Sequence, residues 1–214
     1  MRAFIGISLP DTVRSSLANL QRRMGESGAD VKWVEPDHLH VTLKFLDEIT
    51  DEQRRRVEVL LGRVASGASS FTLAMDRVGA FPSLTAPRVL WVGLEQGKEA
   101  VIRIAEAIER EGRAIPLRRE DLPAAPPGLS AVPRPAQAGV AQAGRPFAAH
   151  VTLGRVRTPR NRQALVQSLQ ASTWEPPEPF QVTALTLYRS DLHPSGPRYT
   201  ALAVFPLSDE KRNQ

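Results

Sequence analysis

Apolar positions along the chain follow two periods, and segments of one period alternate with segments of the other. Arg2 to Leu9 is a near-continuous apolar run that predicts a buried strand, and the next segment carries Val13, Leu17, Leu20 and Met24 at helical spacing. Val31 to Val34 and Leu39 to Leu46 read as strands. Val57, Leu60, Leu61 and Val64 then form a helical stripe, opened by Thr50 with Gln53 three positions on, the pattern of a capping box. Phe71 to Phe81 is predicted as one strand, ended by Pro82. The order then restarts: Arg88 to Leu94 repeats the opening strand, and Val101, Ile104, Ala105 and Ile108 repeat the helical stripe. A strand at His150 follows. Thr158 is expected to cap the next helix, with Pro159 at its first position and Leu165, Val166 and Leu169 facing inward. Strands over about Phe180 to Arg189 and Tyr199 to Leu207 finish the pattern.

The restart is an internal duplication. His-Val-Thr-Leu occurs as His40–Leu43 and again as His150–Leu153, and a phenylalanine that opens a strand follows each histidine, 31 positions on at Phe71 and 30 at Phe180. One domain over 1–207 is expected, made of repeat units of about 1–85 and 86–207, with a charged tail over 208–214. Matching Arg2 with Arg88 leaves the second unit longer before its histidine. The excess falls on 116–144, where 6 Pro, 7 Ala and 3 Gly in 29 residues show no period and predict an inserted surface loop.

Composition narrows the chemistry. The chain of 214 residues has no cysteine, which removes disulfides, thiolate metal sites and cysteine nucleophiles. No apolar run approaches a membrane span or a signal segment, so a cytoplasmic protein with no membrane partner is expected, as a monomer. The net charge is +5, and of 28 basic residues only Lys32, Lys44, Lys98 and Lys211 are lysine. The arginine fork matches phosphate oxygens.

In a strand, residues two apart share a face, so His40 and Thr42 point one way while Val41 and Leu43 pack the other, and the same holds for His150, Thr152 and their neighbours. Two such strands facing one groove bring two imidazoles and two hydroxyls around a small ligand. An imidazole serves equally as proton acceptor and proton donor near neutral pH. Displacement at phosphorus needs both roles, together with neutral donors and a cation for the non-bridging oxygens. Arg155 is the nearest cation in sequence, and strict alternation sets it on the wrong face unless the strand bends or bulges near Gly154. His38 shares the face of His40, but no Asp or Glu recurs with the motifs, and neither a metal nor another cofactor is expected.

These motifs resemble those of the 2H phosphoesterase superfamily, and most of all its RNA 2′,3′-cyclic phosphodiesterases, the LigT-like or 2′-5′ RNA ligase proteins. Further similar stretches are Phe4–Ile7, Trp33-Val34, Leu39–Leu46, Pro87–Trp91, Arg145–Phe147, Leu187–Ser190 and Gly196–Tyr199. The resemblance implies an α+β, bilobal duplicated fold in which two antiparallel sheets flank a central groove, with helices on the outer faces. It implies metal-independent hydrolysis of an RNA-terminal 2′,3′-cyclic phosphate to a 2′-phosphomonoester, with His40 as general acid, His150 as general base, and Thr42 and Thr152 on phosphate oxygens. It also implies a 2′-5′ RNA ligase activity that joins RNA ends through a 2′-5′ linkage. Arg155 matches an arginine that follows the second motif in relatives, Phe45 an aromatic position near the nucleoside, and Tyr188, with Arg189 and Arg198, is a candidate for the groove wall. Alternatives are a hydrolase of a small cyclic nucleotide or 2′-5′ oligonucleotide, or a noncatalytic module that binds RNA ends. Ala149 replaces a proline common in relatives just before the second histidine.

Overall fold

The computed structural model describes residues 1–113, 147–193 and 196–209. The predicted loop over 116–144, the pair Arg145-Pro146 and tail residues 210–214 lie outside the described residues. The order is β1 (Arg2–Ser8), α1 (Asp11–Gly25), β2 (Val31–Trp33), β3 (His40–Glu48), α2 (Asp51–Ser66), β4 (Phe71–Leu73), β5 (Met75–Phe81) and β6 (Val89–Leu94). It continues with α3 (Lys98–Gly112), β7 (His150–Val156), α4 (Arg162–Gln170), β8 (Phe180–Val182), β9 (Ala184–His193) and β10 (Gly196–Pro206). A single turn of 3-10 helix, Pro36–His38, leads into β3.

The strands form an antiparallel sheet in the order β10-β9-β1-β3-β7-β6-β5, with β2 also paired to β7, and β4 and β8 make a separate two-stranded sheet. The long sheet is two sheets joined at one residue pair, Val41 opposite Val151, and both side chains are fully buried. These valines occupy the same position in the two copies of His-Val-Thr-Leu. An antiparallel pair of equivalent residues is related by a local twofold axis between them. The same axis recurs at the small sheet, where Phe71 opposes Val182, Thr72 opposes Gln181 and Leu73 opposes Phe180. There the amide of Gln181 donates to the Thr72 hydroxyl at 2.7 Å.

The two halves of the sheet exchange strands. β5 of the first repeat is the edge strand beside β6, and β2 pairs with β7. Conversely, the β9–β10 hairpin of the second repeat completes the half that holds β1 and β3. One contiguous core under the helices contains Leu17, Leu61, Leu90, Val92, Ile108 and Leu165, each at most 1% exposed. The helices lie on one side of the sheet and the His-x-Thr pairs on the other.

Three expectations are corrected. First, the strands predicted over Phe71–Phe81 and Phe180–Arg189 both break, at Ala74 and Thr183, where the chain leaves the small sheet for the large one; Ala74 exchanges hydrogen bonds with Glu95 and Gln96 instead. Second, the helix expected at Thr158 begins at Arg162. Thr158 only closes a turn by accepting from the Arg160 N–H at 3.4 Å, and Asn161 takes the cap position in a left-handed conformation (φ 50°), its amide donating to the Gly28 carbonyl. Third, Ser8 opposes His40 and Gly93 opposes His150, so the repeats superpose one residue out of the register suggested by Arg2 and Arg88. The α2 capping box forms as expected: the Gln53 N–H donates to the Thr50 hydroxyl at 3.1 Å and the Thr50 N–H to the Gln53 side chain at 2.8 Å.

Gly79 lies beneath the Trp91 ring, which stands 2.2 Å from where a Cβ would be. Gly79→Ala should destabilise the fold by about 1–3 kcal/mol in urea unfolding, the scale of overpacking. Gly62, in α2 with open space around it, is the control: Gly62→Ala should be neutral or stabilise by roughly 0.5–1 kcal/mol through helix propensity.

Candidate active site

The side of the sheet away from the helices is built around the junction. With Val41 opposite Val151, antiparallel pairing sets His40 toward Thr152 and Thr42 toward His150 along the two strands. Both imidazoles are held alike. The Nδ1–H of His40 donates to the His38 carbonyl and that of His150 to the Ala148 carbonyl, each at 2.6 Å. A carbonyl only accepts, so Nδ1 carries the proton and Nε2 is the working atom. Nε2 of His40 lies 2.9 Å from the Thr42 hydroxyl, and Nε2 of His150 lies 3.2 Å from that of Thr152.

Each His-x-Thr strand carries a bulge directly after its threonine. Along β3, Thr42 opposes Gly6 and Lys44 opposes Ile5, leaving Leu43 as the extra residue. Along β7, Thr152 opposes Trp91 and Gly154 opposes Leu90, leaving Leu153 as the extra residue. One inserted residue reverses the alternation beyond it. Arg155 therefore returns to the face of His150 and Thr152, meeting the condition its sequence position imposed, and Phe45 returns to the face of His40. Lys44 turns to the helix side instead, where it pairs with Glu109 of α3.

A cavity of about 430 Å³ opens on this face, with His40, Thr42, Thr152, Arg155 and Phe45 in its wall. His150 is not among the wall residues: it is buried, 9% exposed, with Phe81 and Trp91 edge-on to it at ring-centroid distances of 5.3 and 6.2 Å. His40 is stacked on Phe4 at 4.6 Å, directly above Gly6. A side chain on Gly6 would meet the Val41 carbonyl at 2.9 Å and the His40 ring at 3.4 Å, so the stack depends on this glycine.

Tyr188 is not in the cavity wall. Its hydroxyl shares a hydrogen bond with Ser8 at 2.6 Å and its ring stacks on Phe4 at 4.9 Å, which makes it a support for the Phe4–His40 stack. Neither Arg189, paired with Asp191, nor Arg198 lines the cavity. The tyrosine in the wall is Tyr199, edge-on to Phe4 at 4.9 Å and to His40 at 5.5 Å, with His38 against it at 4.7 Å. Only two tyrosines occur in the chain, but choosing between them needs the strand order, in which β10 reaches over β9 toward β1. Among the described residues, no group of three His, Asp or Glu side chains gathers as a ligand set.

Burial is the first cause of the titration behaviour here. It lowers the His40 pKa to about 4; the hydrogen bond to His38 partly opposes this, and charge on His38 or His150 adds to it. His150 is lowered by burial, again opposed by its carbonyl partner, and further by the positive charge of Arg155. Burial also lowers Arg155 and raises the Tyr199 phenol, which in turn feels the charges of Arg155 and Arg2. With no bound anion, both imidazoles are neutral at pH 7.

A duplicated α+β fold that sets two His-x-Thr pairs on one groove defines a 2H phosphoesterase. Within that class, the chain belongs to the LigT-like phosphoesterase family, whose model matches residues 7–91 and 130–199. A relative from Archaeoglobus fulgidus named RNA 2′,3′-cyclic phosphodiesterase is 30% identical, covering 96% of this chain and 99% of its own. The crystal structure of the Thermus thermophilus protein TT0787 superposes with a TM-score of 0.72 at 29% identity, over 98% of this chain and all of the other. Escherichia coli LigT complexed with 3′-AMP gives 0.67 at 27% identity, over 97% and 98%.

Unfolded His40 binds a proton below about pH 6.5, whereas the folded protein resists it to about pH 4. Folding should therefore lose up to about 3 kcal/mol at this residue as pH falls through that window. The loss of urea-unfolding free energy between pH 7 and 4.5 should be smaller in His40→Gln than in wild type; an equal loss would remove this account.

Proposed function

We propose that the protein hydrolyses RNA-terminal 2′,3′-cyclic phosphates to 2′-phosphomonoesters through a histidine acid–base pair. The observation that carries this reading is the matched hydrogen bonding of the two imidazoles, which sets each Nε2 beside a threonine hydroxyl, next to a cavity whose wall holds His40, both threonines and Arg155. The name of the Archaeoglobus relative supports the substrate, and the 3′-AMP complex of the Escherichia coli relative supports nucleotide binding in this fold.

His150 is the base in this mechanism. Burial, and after it the charge of Arg155, disfavours its protonated form, so Nε2 keeps a lone pair to take a proton from water as the water oxygen attacks phosphorus. His40 is the acid. Its proton affinity is low chiefly because burial removes solvent from the cation, and a phosphodiester anion bound against it supplies the missing counter-charge. His40 Nε2–H then donates to the departing 3′ oxygen, leaving the phosphate on the 2′ oxygen. Thr42 and Thr152 donate to non-bridging oxygens, Arg155 balances the charge gained in the transition state, and Phe45 borders the nucleoside.

His40→Ala and His150→Ala should each lower turnover by roughly 10²- to 10⁴-fold, and Thr42→Ala or Thr152→Ala by up to about 10³-fold. The assay is hydrolysis, in EDTA, of an oligonucleotide ending in a 2′,3′-cyclic phosphate, with the product phosphate located. Full activity in either folded histidine variant refutes the mechanism. The pH profile adds a second check. The acid must hold its proton, so activity falls as pH rises through the His40 pKa; the base must be free of one, so activity falls as pH drops through that of His150. Because kcat/KM reports the free enzyme, its optimum should lie on the acid side of 6.5. The alkaline limb of kcat, which reports the complex, should lie at higher pH. Coincident limbs would contradict charging of His40 by the bound phosphate.

A further inference from the structure

We infer that Arg2 and Lys32 form a subsite for a second phosphate of the substrate, separate from the phosphate that undergoes displacement. The inference rests on the proposed function, because it takes the reacting phosphate to lie at His40, His150 and Arg155. The cavity wall holds three cations, Arg2, Lys32 and Arg155, and two carboxylates, Glu35 and Asp47. A cyclic phosphate carries one negative charge, which Arg155 is placed to meet. Two cations remain.

Both face the groove. Arg2 lies two residues from Phe4 on β1, so it shares the face on which Phe4 stacks against His40. Its charge acts on the Tyr199 phenol, as does that of Arg155, and all three residues line the same cavity. Lys32 stands directly opposite Arg155 in the β2–β7 pair, where cross-strand partners share a face. Neither Arg2 nor Lys32 forms an ion pair among the described residues, although Glu48 opposes Arg2 in register and Glu35 and Asp47 share the cavity. Unpaired cations of like sign within one concave wall attract a further anion.

The chemistry selected is a sugar 2′,3′-cyclic phosphate with another phosphate on its 5′ side. In RNA this is the preceding phosphodiester; in a small nucleotide it is a 5′-phosphate. The test measures kcat/KM on adenosine 2′,3′-cyclic phosphate, on its 5′-phosphorylated form, and on the dinucleotide ApA ending in a 2′,3′-cyclic phosphate. A fourth substrate is the same dinucleotide with a neutral methylphosphonate linkage. Wild type should prefer the native dinucleotide over the neutral one by about tenfold or more, mainly through KM, as expected for charge-assisted contacts. The double variant Arg2→Gln, Lys32→Gln should bring that ratio toward one, and Arg2→Lys, Lys32→Arg should preserve it. An equal preference for the 5′-phosphorylated mononucleotide identifies a small nucleotide as the source; preference for the dinucleotide alone identifies RNA.

A wild-type ratio near one, or a ratio unchanged in the glutamine variant, overturns the subsite while leaving the proposed function intact. Turnover of none of the four substrates overturns the proposed function. The subsite is then judged by calorimetric binding of the two dinucleotides to wild type and to the glutamine variant. Affinity independent of linkage charge overturns it, and a charge preference lost in the variant sustains it.

Discussion

The pairing of Val41 with Val151 is the constraint on which the rest depends. One residue pair joins the two halves of the sheet, and because the two valines are equivalent in the repeats, their pairing fixes the axis that relates everything else. It sets each histidine toward the hydroxyl of the other copy. The second point on the axis, Thr72 with Gln181, keeps the halves from pivoting about the first. A site with two equivalent His-x-Thr pairs follows from twofold placement of a single strand type.

Twofold placement does not make the two sides alike, and the chemistry depends on the difference. In the first half, Gly6 opens space above the sheet and Phe4 fills it against His40. In the second, Trp91 occupies the place of Gly6 and extends over Gly79 on the neighbouring strand. Likewise Phe45 and Arg155 occupy equivalent positions after the paired bulges, but one brings an aromatic ring and the other a charge. One imidazole is thus surrounded by aromatic rings without a cation beside it, and the other has a guanidinium group close by. Equivalent backbones thus carry imidazoles with unlike neighbours.

The repeats, the order of elements and the two His-x-Thr pairs were legible in the sequence because strand periodicity and helical spacing are local properties. The α2 cap was legible for the same reason. What failed was non-local. Ala74 and Thr183 break their strands because the chain changes sheets there, and nothing within Phe71–Phe81 records that change. Thr158-Pro159 carries a sound helix-start pattern, but Asn161 is engaged by the Gly28 carbonyl from a distant part of the chain, which delays the helix. Arg155 lay between these cases. Its wrong parity was visible, and so was the remedy near Gly154, but the bulge itself appears only in the pairing with β6. Tyr188 and Tyr199 could not be told apart without knowing which strand lies over which.

Because the halves exchange strands, neither repeat encloses a core alone. The edge strand of one half is β5, from the repeat that supplies β1 and β3 to the other, and the β9–β10 hairpin is donated in return. The arrangement is that of a domain-swapped homodimer whose two subunits have been fused into one polypeptide. Such a molecule has no half-folded state that retains half a site: separating the lobes strips strands from both and parts the two His-x-Thr pairs in the same event. The folded population and the active population are therefore a single quantity.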